Sequence, residues 1–203
     1  MSPKSGHFSK LVEEMLVLSK VQAGEKVIVV VPALFDQRYT EAYTIALSNL
    51  GADFFFMTLT PQADGQDLVM PTSDFVYDTL KGADLVLTLS LYEYDMAAPS
   101  TFYLVYGSEK GYELMASGTR VLSVMEEEEV MRRVFPTPDL VERSYAGAEL
   151  LEQAEEIHVV SEAGTDLVCH KRGRPGSCEV GIADVPGRWD NFGYGLAGCA
   201  PWE

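Results

Sequence analysis

Apolar side chains recur with a helical period at the start of the chain and then form an unbroken strand-like run. Over residues 8–21 they lie at i, i+3, i+4 and i+7, which predicts an amphipathic helix that ends before Gly24. The run from Val27 to Val31 is entirely β-branched. Such an uninterrupted run is typical of a strand that is covered on both faces, as in a parallel sheet.

Strands and helices continue to alternate as far as about residue 155. This spacing indicates a parallel α/β sheet with right-handed crossovers and helices on both faces. The further strands are predicted at 53–59, 84–90 and 120–124. Further helices are predicted between Asp36 and Gly51, near 74–80 and near 108–117. Two more helices are predicted, one from the acidic run at 126–129 to Pro136 and one after the Thr137 cap.

The pattern changes beyond residue 155, where residues 157–170 alternate about a Gly164–Asp166 turn and predict a β-hairpin. We therefore expect an α/β domain over residues 1–155, followed over residues 156–203 by the beginning of a β-rich second domain. This second part is rich in glycine and predicts no terminating helix. We therefore expect the β-rich domain to be incomplete.

The composition excludes a disordered chain and disfavours polyanionic partners. Of the 203 residues, 47% are hydrophobic, which is enough for a sizeable core. Lys and Arg number 15 against 31 Asp and Glu, a formal net charge of −16. Neither nucleic acid nor an anionic membrane surface is an expected partner of so acidic a chain, and the longest apolar run is too short to cross a bilayer.

The cysteines and the N-terminal sequence predict a cytoplasmic location. Cys169, Cys178 and Cys199 are odd in number, and acidic residues lie where a signal peptide would need apolar ones. Reduced thiols in the cytoplasm are the simplest interpretation. A zinc site at Cys169, His170 and Cys178 is disfavoured, because adjacent strand residues point to opposite faces and no CxxC pair is present.

Polar side chains follow the predicted strands, at the edge where ligands of parallel sheets bind. These are Asp36, Arg38, the segment Tyr92–Asp95 and the acidic run Glu126–Glu129. The four acids could suggest a metal site, but acids that open a helix also complement its dipole, and this second interpretation is favoured. A GxGxxG match at 193–198 lacks the strand before it and the helix after it that a dinucleotide site needs.

One segment near the end of the chain is unusual enough to indicate a family. The sequence Asp184–Asp190 (DVPGRWD) follows a Gly164–Leu167 turn (GTDL), and both accompany the strand Arg120–Val124 and a helix that begins at Pro138. Together they resemble the N-terminal part of the 2,5-dihydroxypyridine 5,6-dioxygenase family. The GTDL turn and the opening GEKVIVV are also similar to metallo-aminopeptidases of the aminopeptidase T type, whereas PGRWD favours the dioxygenases.

The resemblance implies ring opening of a dihydroxylated N-heterocycle by a mononuclear Fe(II) that two histidines and one carboxylate hold. It places those ligands in the C-terminal half of family members, and this chain has no histidine beyond His170. Fe(II) is therefore the implied cofactor, its ligands are absent from this chain, and we expect the chain alone to be inactive. His158, His170 and Asp166 could meet only as a shallow site on the hairpin, without the supporting residues that tune metal affinity.

The resemblance also implies candidate site residues around PGRWD. Glu179 and Asn191 lie where a catalytic glutamate and a catalytic histidine are expected, and Trp189 and Asp190 are candidates for substrate binding. Glu179 matches the family. Asn191 departs from it, because an amide forms hydrogen bonds but cannot shuttle a proton at neutral pH. The alternative is that these four residues form a structural turn beside a strand.

Three interpretations follow from the sequence. The first is a dihydroxypyridine dioxygenase-like enzyme whose metal-binding region is missing from the chain, with a small aromatic N-heterocycle as its ligand. The second is an aminopeptidase T-like metallo-aminopeptidase fragment, and the third is a non-catalytic α/β protein that binds a small molecule or a partner. We also expect a homo-oligomer, formed by apolar side chains of an incomplete β domain: Val180, Ile182, Trp189, Phe192 and Trp202.

Overall fold

A computed structural model of the chain describes residues 3–33, 35–60, 62–64, 67–69, 73–90, 108–192 and 195–199. Its contacts form two compact units. The first comprises residues 1–135 and 181–193, and the second comprises residues 136–180 and 194–203.

Helices and strands alternate along most of the chain. No helix in the described part is both long and apolar enough to span a membrane. The elements up to residue 135 are α1 (Pro3–Leu18), β1 (Lys26–Pro32), α2 (Gln37–Leu50), β2 (Asp53–Leu59), β3 (Gln62–Asp64), β4 (Asp67–Val69), α3 (Asp74–Leu80), β5 (Leu85–Leu89), α4 (Glu109–Ala116), β6 (Arg120–Val124) and α5 (Glu128–Arg133). The remaining elements are α6 (Pro138–Gln153), β7 (Glu156–Val160), β8 (Asp166–His170), β9 (Ser177–Glu179), β10 (Trp189–Phe192) and β11 (Leu196–Gly198).

Five strands form one parallel sheet in the order β10-β6-β5-β1-β2. The parallel α/β sheet that the sequence predicts is therefore confirmed, and β2, β6 and α3 have the predicted bounds. The short strands β3 and β4 pair antiparallel with each other. The sequence pattern does not predict this ribbon, because three-residue strands carry too little alternation to be distinguished from a loop.

Apolar cores cover both faces of this sheet, as an unbroken apolar run requires. On one face, every second residue of β1 from Val27 to Val31 packs in a core with α1 and α2. On the other face, Ile28 and Val30 pack in a core with α3 and α4, which includes the fully buried Leu80. The prediction of helices on both faces is therefore confirmed.

The position of β10 differs from the predicted domain organisation. The sequence places the domain boundary near residue 155, whereas the first compact unit ends at residue 135 and regains residues 181–193. β10 extends the parallel sheet beside β6, and its Phe192 is fully buried opposite Val124. This strand has four residues and two of them are polar. Its burial therefore arises from tertiary contacts, which an apolar pattern does not reveal.

The second unit consists of α6 and two antiparallel strand pairs. β7 pairs with β8 as the predicted hairpin, and β9 pairs with β11. Thr137 caps α6 as predicted, because its hydroxyl accepts the Leu140 amide hydrogen at 3.3 Å. α6 lies so close to residue 176 that a Cβ there would be 2.1 Å from the carbonyl oxygen of Ala148. Gly176 is therefore needed for the close approach of this segment to the helix.

The exposed apolar surface differs from the one that the sequence predicts. Val180 and Phe192 are buried, Ile182 and Trp189 are half-buried, and Trp202 lies outside the described residues. The expected oligomer remains a prediction, but its stated basis at Val180 and Phe192 is wrong. The large exposed apolar side chains of the second unit include those of α6 and the β7–β8 hairpin: Tyr145, Leu150, Val159, Val160, Leu167 and Val168.

Candidate functional site at the carboxyl edge of the sheet

A row of polar side chains crosses three neighbouring strands near their carboxyl ends. Thr88 of β5 is the register partner of Ser123 of β6, and Ser123 is the register partner of Asn191 of β10. Each of these residues is the second to last of its strand. Register partners on adjacent parallel strands face the same side of the sheet, so the three side chains lie side by side. They face the side that carries α3 and α4, since Val86, Val121 and Trp189 belong to that core.

Ser123 is the centre of this row. Its Oγ accepts a hydrogen bond from Thr88 Oγ1 at 2.9 Å and another from Trp189 Nε1 at 3.1 Å. Ser123 is 0% exposed and Thr88 is 1% exposed. These hydrogen bonds are therefore shielded from water, and they fix the indole ring of β10 against β6.

Asn191 brings an unsatisfied acceptor to the same row. Its side chain is buried, and its Oδ1 has no hydrogen-bond partner among the described residues. A buried carbonyl oxygen without a donor costs about 1–3 kcal/mol. Such an atom at the edge where α/β sheets bind ligands indicates an acceptor that a ligand can satisfy.

Asp190 faces the opposite side of β10 from Trp189 and Asn191, because successive strand residues alternate. Its Oδ1 accepts the Gly181 amide hydrogen at 3.0 Å, and its Oδ2 accepts from Arg188 Nη2 at 2.8 Å. The carboxylate is 1% exposed. These contacts hold β10 and the preceding loop together, so Asp190 has a structural role here, and its role in substrate binding stays a prediction.

Glu179 lies in the second compact unit, on β9, where it pairs with Leu196 of β11 and is half-buried. Of the four residues predicted around PGRWD, the structure thus brings Trp189 and Asn191 to one face of the sheet. It places Asp190 on the other face of the same strand.

Thr88 and Ser123 were not predicted as site residues. Thr88 is the polar residue of β5, whose sequence LVLTL is otherwise apolar. Ser123 is the polar residue of β6 (RVLSV) once the first residue, Arg120, is set aside. A single hydroxyl near the carboxyl end of each of two buried strands is the signal that could have indicated them.

A second polar cleft, of about 340 Å³, lies beyond β1 and contains other predicted strand-end residues. Asp36 caps α2 and binds the Arg38 guanidinium at 2.6 Å, and this hydrogen bonding lowers the pKa of Asp36. Tyr39 Oη accepts the Glu128 amide hydrogen at 2.8 Å, and burial raises the pKa of Tyr39 to about 12. The positive charge of Arg38 is therefore balanced by the carboxylate of Asp36. The phenol of Tyr39 is neutral at ordinary pH.

The acidic run supports the helix interpretation over the metal interpretation. Glu128 and Glu129 occupy the first turn of α5, and Glu128 accepts from Arg132 Nη2 at 2.7 Å one turn later. Within the described residues, no three His, Cys, Asp or Glu side chains group as a metal ion requires. The predicted segment Tyr92–Asp95 lies outside the described residues.

The histidines of the chain do not fit a mononuclear iron site. His158 Nε2 lies 2.6 Å from Asp166 Oδ1, and His170 Nδ1 lies 3.5 Å from Glu156 Oε2. Each imidazole thus has its own carboxylate on the exposed β7–β8 hairpin. The third histidine of the sequence, His7, belongs to α1. Two imidazoles and one carboxylate that converge on one point are not found in the described part of the chain.

Comparison with known proteins gives an independent assignment. The family model for 2,5-dihydroxypyridine 5,6-dioxygenase matches residues 7–203. The curated 2,5-dihydroxypyridine 5,6-dioxygenase of Pseudomonas putida KT2440 is 31% identical over 207 residues, which cover 100% of this chain and 57% of the relative. The solved structure of 2,5-dihydroxypyridine dioxygenase from Pseudomonas putida KT2440 aligns with a TM-score of 0.79 and 26% identity, covering 97% of this chain and 56% of that chain.

These matches decide between the two related families that the sequence left open. The family match extends over nearly the whole chain, and the solved relative shares its fold as well as its sequence. The chain spans 57% of the length of the curated relative. It belongs to the 2,5-dihydroxypyridine 5,6-dioxygenase family.

Proposed function

We propose that this chain is the N-terminal part of a ring-cleaving dioxygenase that acts on a dihydroxylated pyridine. Family membership supports this class of reaction, in which the bond between two ring carbons opens and both oxygen atoms of O₂ enter the product. The electron-rich ring supplies the electrons, so no external reductant is consumed. The ligand class is a small aromatic N-heterocycle.

The observation that carries the proposal is the position of the PGRWD segment. PGRWD leads directly into β10, and β10 places Trp189 and Asn191 on the face that carries Ser123 and Thr88. Ligands of parallel α/β sheets bind at this edge. Trp189 and Asn191 are therefore our candidates for substrate contact, and Glu179 remains a catalytic candidate on the strength of the resemblance.

We propose that the iron ligands belong to the part of the family that the alignment with this chain does not reach. The 203-residue chain, incubated anaerobically with Fe(II) and desalted, should then carry well below one iron per chain. It should also leave the ultraviolet absorbance of 2,5-dihydroxypyridine unchanged. Stoichiometric iron that is lost in His158→Ala or His170→Ala would place the metal on the hairpin and contradict this proposal.

The dioxygenase activity itself can be tested in a chimera. This chain would replace the aligned part of the Pseudomonas putida enzyme, and the chimera would be loaded with Fe(II) under anaerobic conditions. We expect loss of 2,5-dihydroxypyridine absorbance with one O₂ consumed per ring, and a product heavier than the substrate by the mass of O₂. A folded, iron-loaded chimera without O₂ uptake would favour the non-catalytic interpretation of the chain.

A matched pair of variants locates the substrate contact within the chimera. Asn191→Leu removes the buried acceptor and should lower kcat/KM by about tenfold or more, since one unsatisfied hydrogen bond costs about 1–3 kcal/mol. Asn49→Leu changes an exposed asparagine of α2 and should leave kcat/KM unchanged. Equal activity of the two variants would exclude Asn191 from the site.

We further infer a cytoplasmic location and self-association. Cys169, Cys178 and Cys199 form no disulfide among the described residues, which suits a reducing compartment. The exposed apolar side chains of α6 and the β7–β8 hairpin are the surface that an assembly would cover. Light scattering at micromolar concentration should detect dimers or larger species, and a monomer would contradict the inference.

A further inference from the structure

The parallel sheet ends in two edge strands that differ in length and in sequence. β10 forms one edge and has four residues, whereas β2 forms the other edge and has seven. Among the described residues, β2 pairs only with β1. Its sequence DFFFMTL contains neither Lys nor Pro, the residues that commonly protect an edge strand against further pairing. β2 is therefore a long apolar edge that its own sequence does not protect.

Alternate residues of β2 direct their backbone groups towards β1 and away from it. The Asp53 amide donates to the Glu25 carbonyl at 2.9 Å. The Leu59 carbonyl accepts from the Ala33 amide, also at 2.9 Å. Positions 53, 55, 57 and 59 thus bond towards β1, and the intervening positions direct their N–H and C=O groups outward. These outward groups, which have no hydrogen-bond partner in the described part of the chain, belong to Phe54, Phe56 and Thr58.

A second copy of β2 satisfies all of these outward groups in a single register. When two copies run antiparallel about a two-fold axis at Phe56, each Phe56 lies opposite the other, and Phe54 lies opposite Thr58 of the second copy. Each of the three residue pairs then exchanges two hydrogen bonds. Together the pairs use every outward N–H and C=O group of both strands. A register shifted by two residues leaves Thr58 or Phe54 without a partner strand residue, so the edge is complementary to itself.

The same register covers the exposed aromatic ring of β2. Phe55 is 50% exposed, and it lies on the face of its register partner Ile28, whose core includes α3 and α4. In the antiparallel pair, Phe55 lies opposite Met57 of the second copy, at the non-hydrogen-bonded positions where cross-strand side chains are closest. Met57 already packs against that core in its own chain. The contact therefore extends an apolar core of one copy into that of the other.

The distribution of charge favours β2 as a contact between two acidic chains. The formal net charge of −16 makes most surfaces of two copies repel each other. β2 carries one charged residue, Asp53, and the register partner of Asp53 on β1 is Lys26. In the two-fold register Asp53 lies opposite Leu59 of the second copy. The two Asp53 side chains are then roughly 20 Å apart along the strands, well beyond the screening length of about 8 Å at physiological salt.

We propose that β2 is a dimer interface, at which two copies of this chain join their five-stranded sheets into one continuous sheet. The inference goes beyond the proposed function, because it does not depend on the reaction. The interface also differs from the exposed apolar surface of α6 and the β7–β8 hairpin. The experiment must therefore locate the contact as well as count the chains.

Hydrogen exchange of the wild-type chain, followed residue by residue by NMR, locates the contact. Sedimentation velocity first defines the concentrations at which the chain is monomeric and dimeric. The outward amides of Phe54, Phe56 and Thr58 should exchange at least about tenfold more slowly in the dimer than in the monomer. The amides of Phe55 and Met57 bond to β1 and should already be protected in the monomer. This alternation within one strand is specific to pairing at the β2 edge.

Three matched variants test the side-chain contact. Phe55→Lys places a charge opposite Met57 of the second copy and should raise the dimer dissociation constant by at least about tenfold. Phe75→Lys changes a phenylalanine of α3 that is 82% exposed, and it should leave the dimer unchanged. Val160→Lys changes a 64% exposed residue of the β7–β8 hairpin and should also leave this dimer unchanged. Sedimentation velocity measures the dissociation constants, and circular dichroism checks that each variant is folded.

A wild-type chain that stays monomeric up to submillimolar concentration would overturn the proposal. A dimer that persists unchanged in a folded Phe55→Lys chain would also overturn it, and so would one that only Val160→Lys dissociates, which would place the contact on the hairpin. If Phe55→Lys does not fold, the exchange pattern of the wild-type chain decides alone. A dimer whose amides at Phe54, Phe56 and Thr58 exchange as fast as in the monomer would exclude β2 from the interface.

Discussion

The indole Nε1 of Trp189 donates a hydrogen bond to Ser123 Oγ across 3.1 Å, although the two residues are 66 positions apart in the sequence. This bond joins β10, which begins inside the PGRWD signature, to the neighbouring strand β6 of the sheet. It therefore couples the placement of the signature segment to the candidate site, and its strength can be measured.

A double-mutant cycle with Trp189→Phe and Ser123→Ala should show coupling. Phenylalanine keeps an aromatic ring but lacks the N–H, so each single variant loses the same hydrogen bond. We expect an interaction free energy of about 0.5–1.5 kcal/mol from urea unfolding of the four proteins. A second cycle with Ser123→Ala and the distant Asn49→Leu should be additive. Additivity in the first cycle would show that the bond contributes nothing to stability.

Gly187 of the signature should be far less tolerant of alanine than a comparable glycine elsewhere. Its φ is +73°, and a Cβ there would lie 2.7 Å from the carbonyl oxygen of Met115. Gly24 has a similar φ of +79°, but a Cβ at Gly24 would meet no atom of the described residues within 4 Å. Gly187→Ala should therefore lower the free energy of unfolding by at least about 1 kcal/mol more than Gly24→Ala does. Equal losses in urea unfolding would mean that the close approach to Met115 relaxes freely.

The ion pair between Lys20 and Asp184 should make part of the stability depend on pH. Lys20 Nζ lies 2.7 Å from Asp184 Oδ2, and this hydrogen bond lowers the pKa of Asp184 in the folded chain. The contribution is then fully present above the unfolded-state pKa of about 3.9 and is lost as pH falls through the lower folded-state value. Because Lys20 is largely exposed, we expect no more than about 1 kcal/mol.

Lys20→Met isolates this contribution. Wild-type chain should be more stable than the variant at pH 6, and the difference should shrink as the pH is lowered below about 4. Lys10→Met is a suitable control, because the Lys10 side chain is largely exposed and its Nζ lies 4.0 Å from Glu14 Oε1 one turn along α1. A difference between wild type and Lys20→Met that is constant from pH 6 to about pH 2.5 would contradict the titration of Asp184.

Hydrogen exchange should separate β10 from the rest of the C-terminal region. Asp190, Asn191 and Phe192 are buried in the first unit, whereas most of the β7–β8 hairpin is exposed. Local stability follows buried contacts. We therefore expect amides of 189–192 to exchange slowly, like those of β5 and β6, and amides of 156–170 to exchange much faster. Fast exchange throughout 173–203 would instead support the sequence-based expectation of an unsupported C-terminal region.

The sequence predicted the central sheet well because its strands have strong local signals. β1, β5 and β6 are apolar runs that only a sheet covered on both faces can bury. The Thr137 cap and the glycine after α2 are local signals as well, since each satisfies backbone groups within a few residues. Such features depend on neighbours in the chain, and they can be read without knowing the fold.

The candidate site was only partly predictable. Trp189 and Asn191 were indicated by the resemblance to a family, and the structure places them on one face of β10. Asp190 was indicated by the same segment, but alternation along the strand turns its carboxylate to the opposite face, where Arg188 and Gly181 bind it. Thr88 and Ser123 were missed, because a single hydroxyl in an apolar strand has no meaning until its neighbours across the sheet are known.

The sequence by itself determined the fold class, the acidic character and the family of this protein, since apolar runs, charge and the PGRWD segment are properties of the chain alone. Only the tertiary structure decided that β10 joins the parallel sheet beside β6 and that Thr88, Ser123 and Asn191 form one row. β10 has no apolar run, and its burial depends on hydrogen bonds to Asp190 and on the packing of Phe192. The physical reason is that register between distant strands is fixed by contacts across the sheet, and no local pattern encodes those contacts.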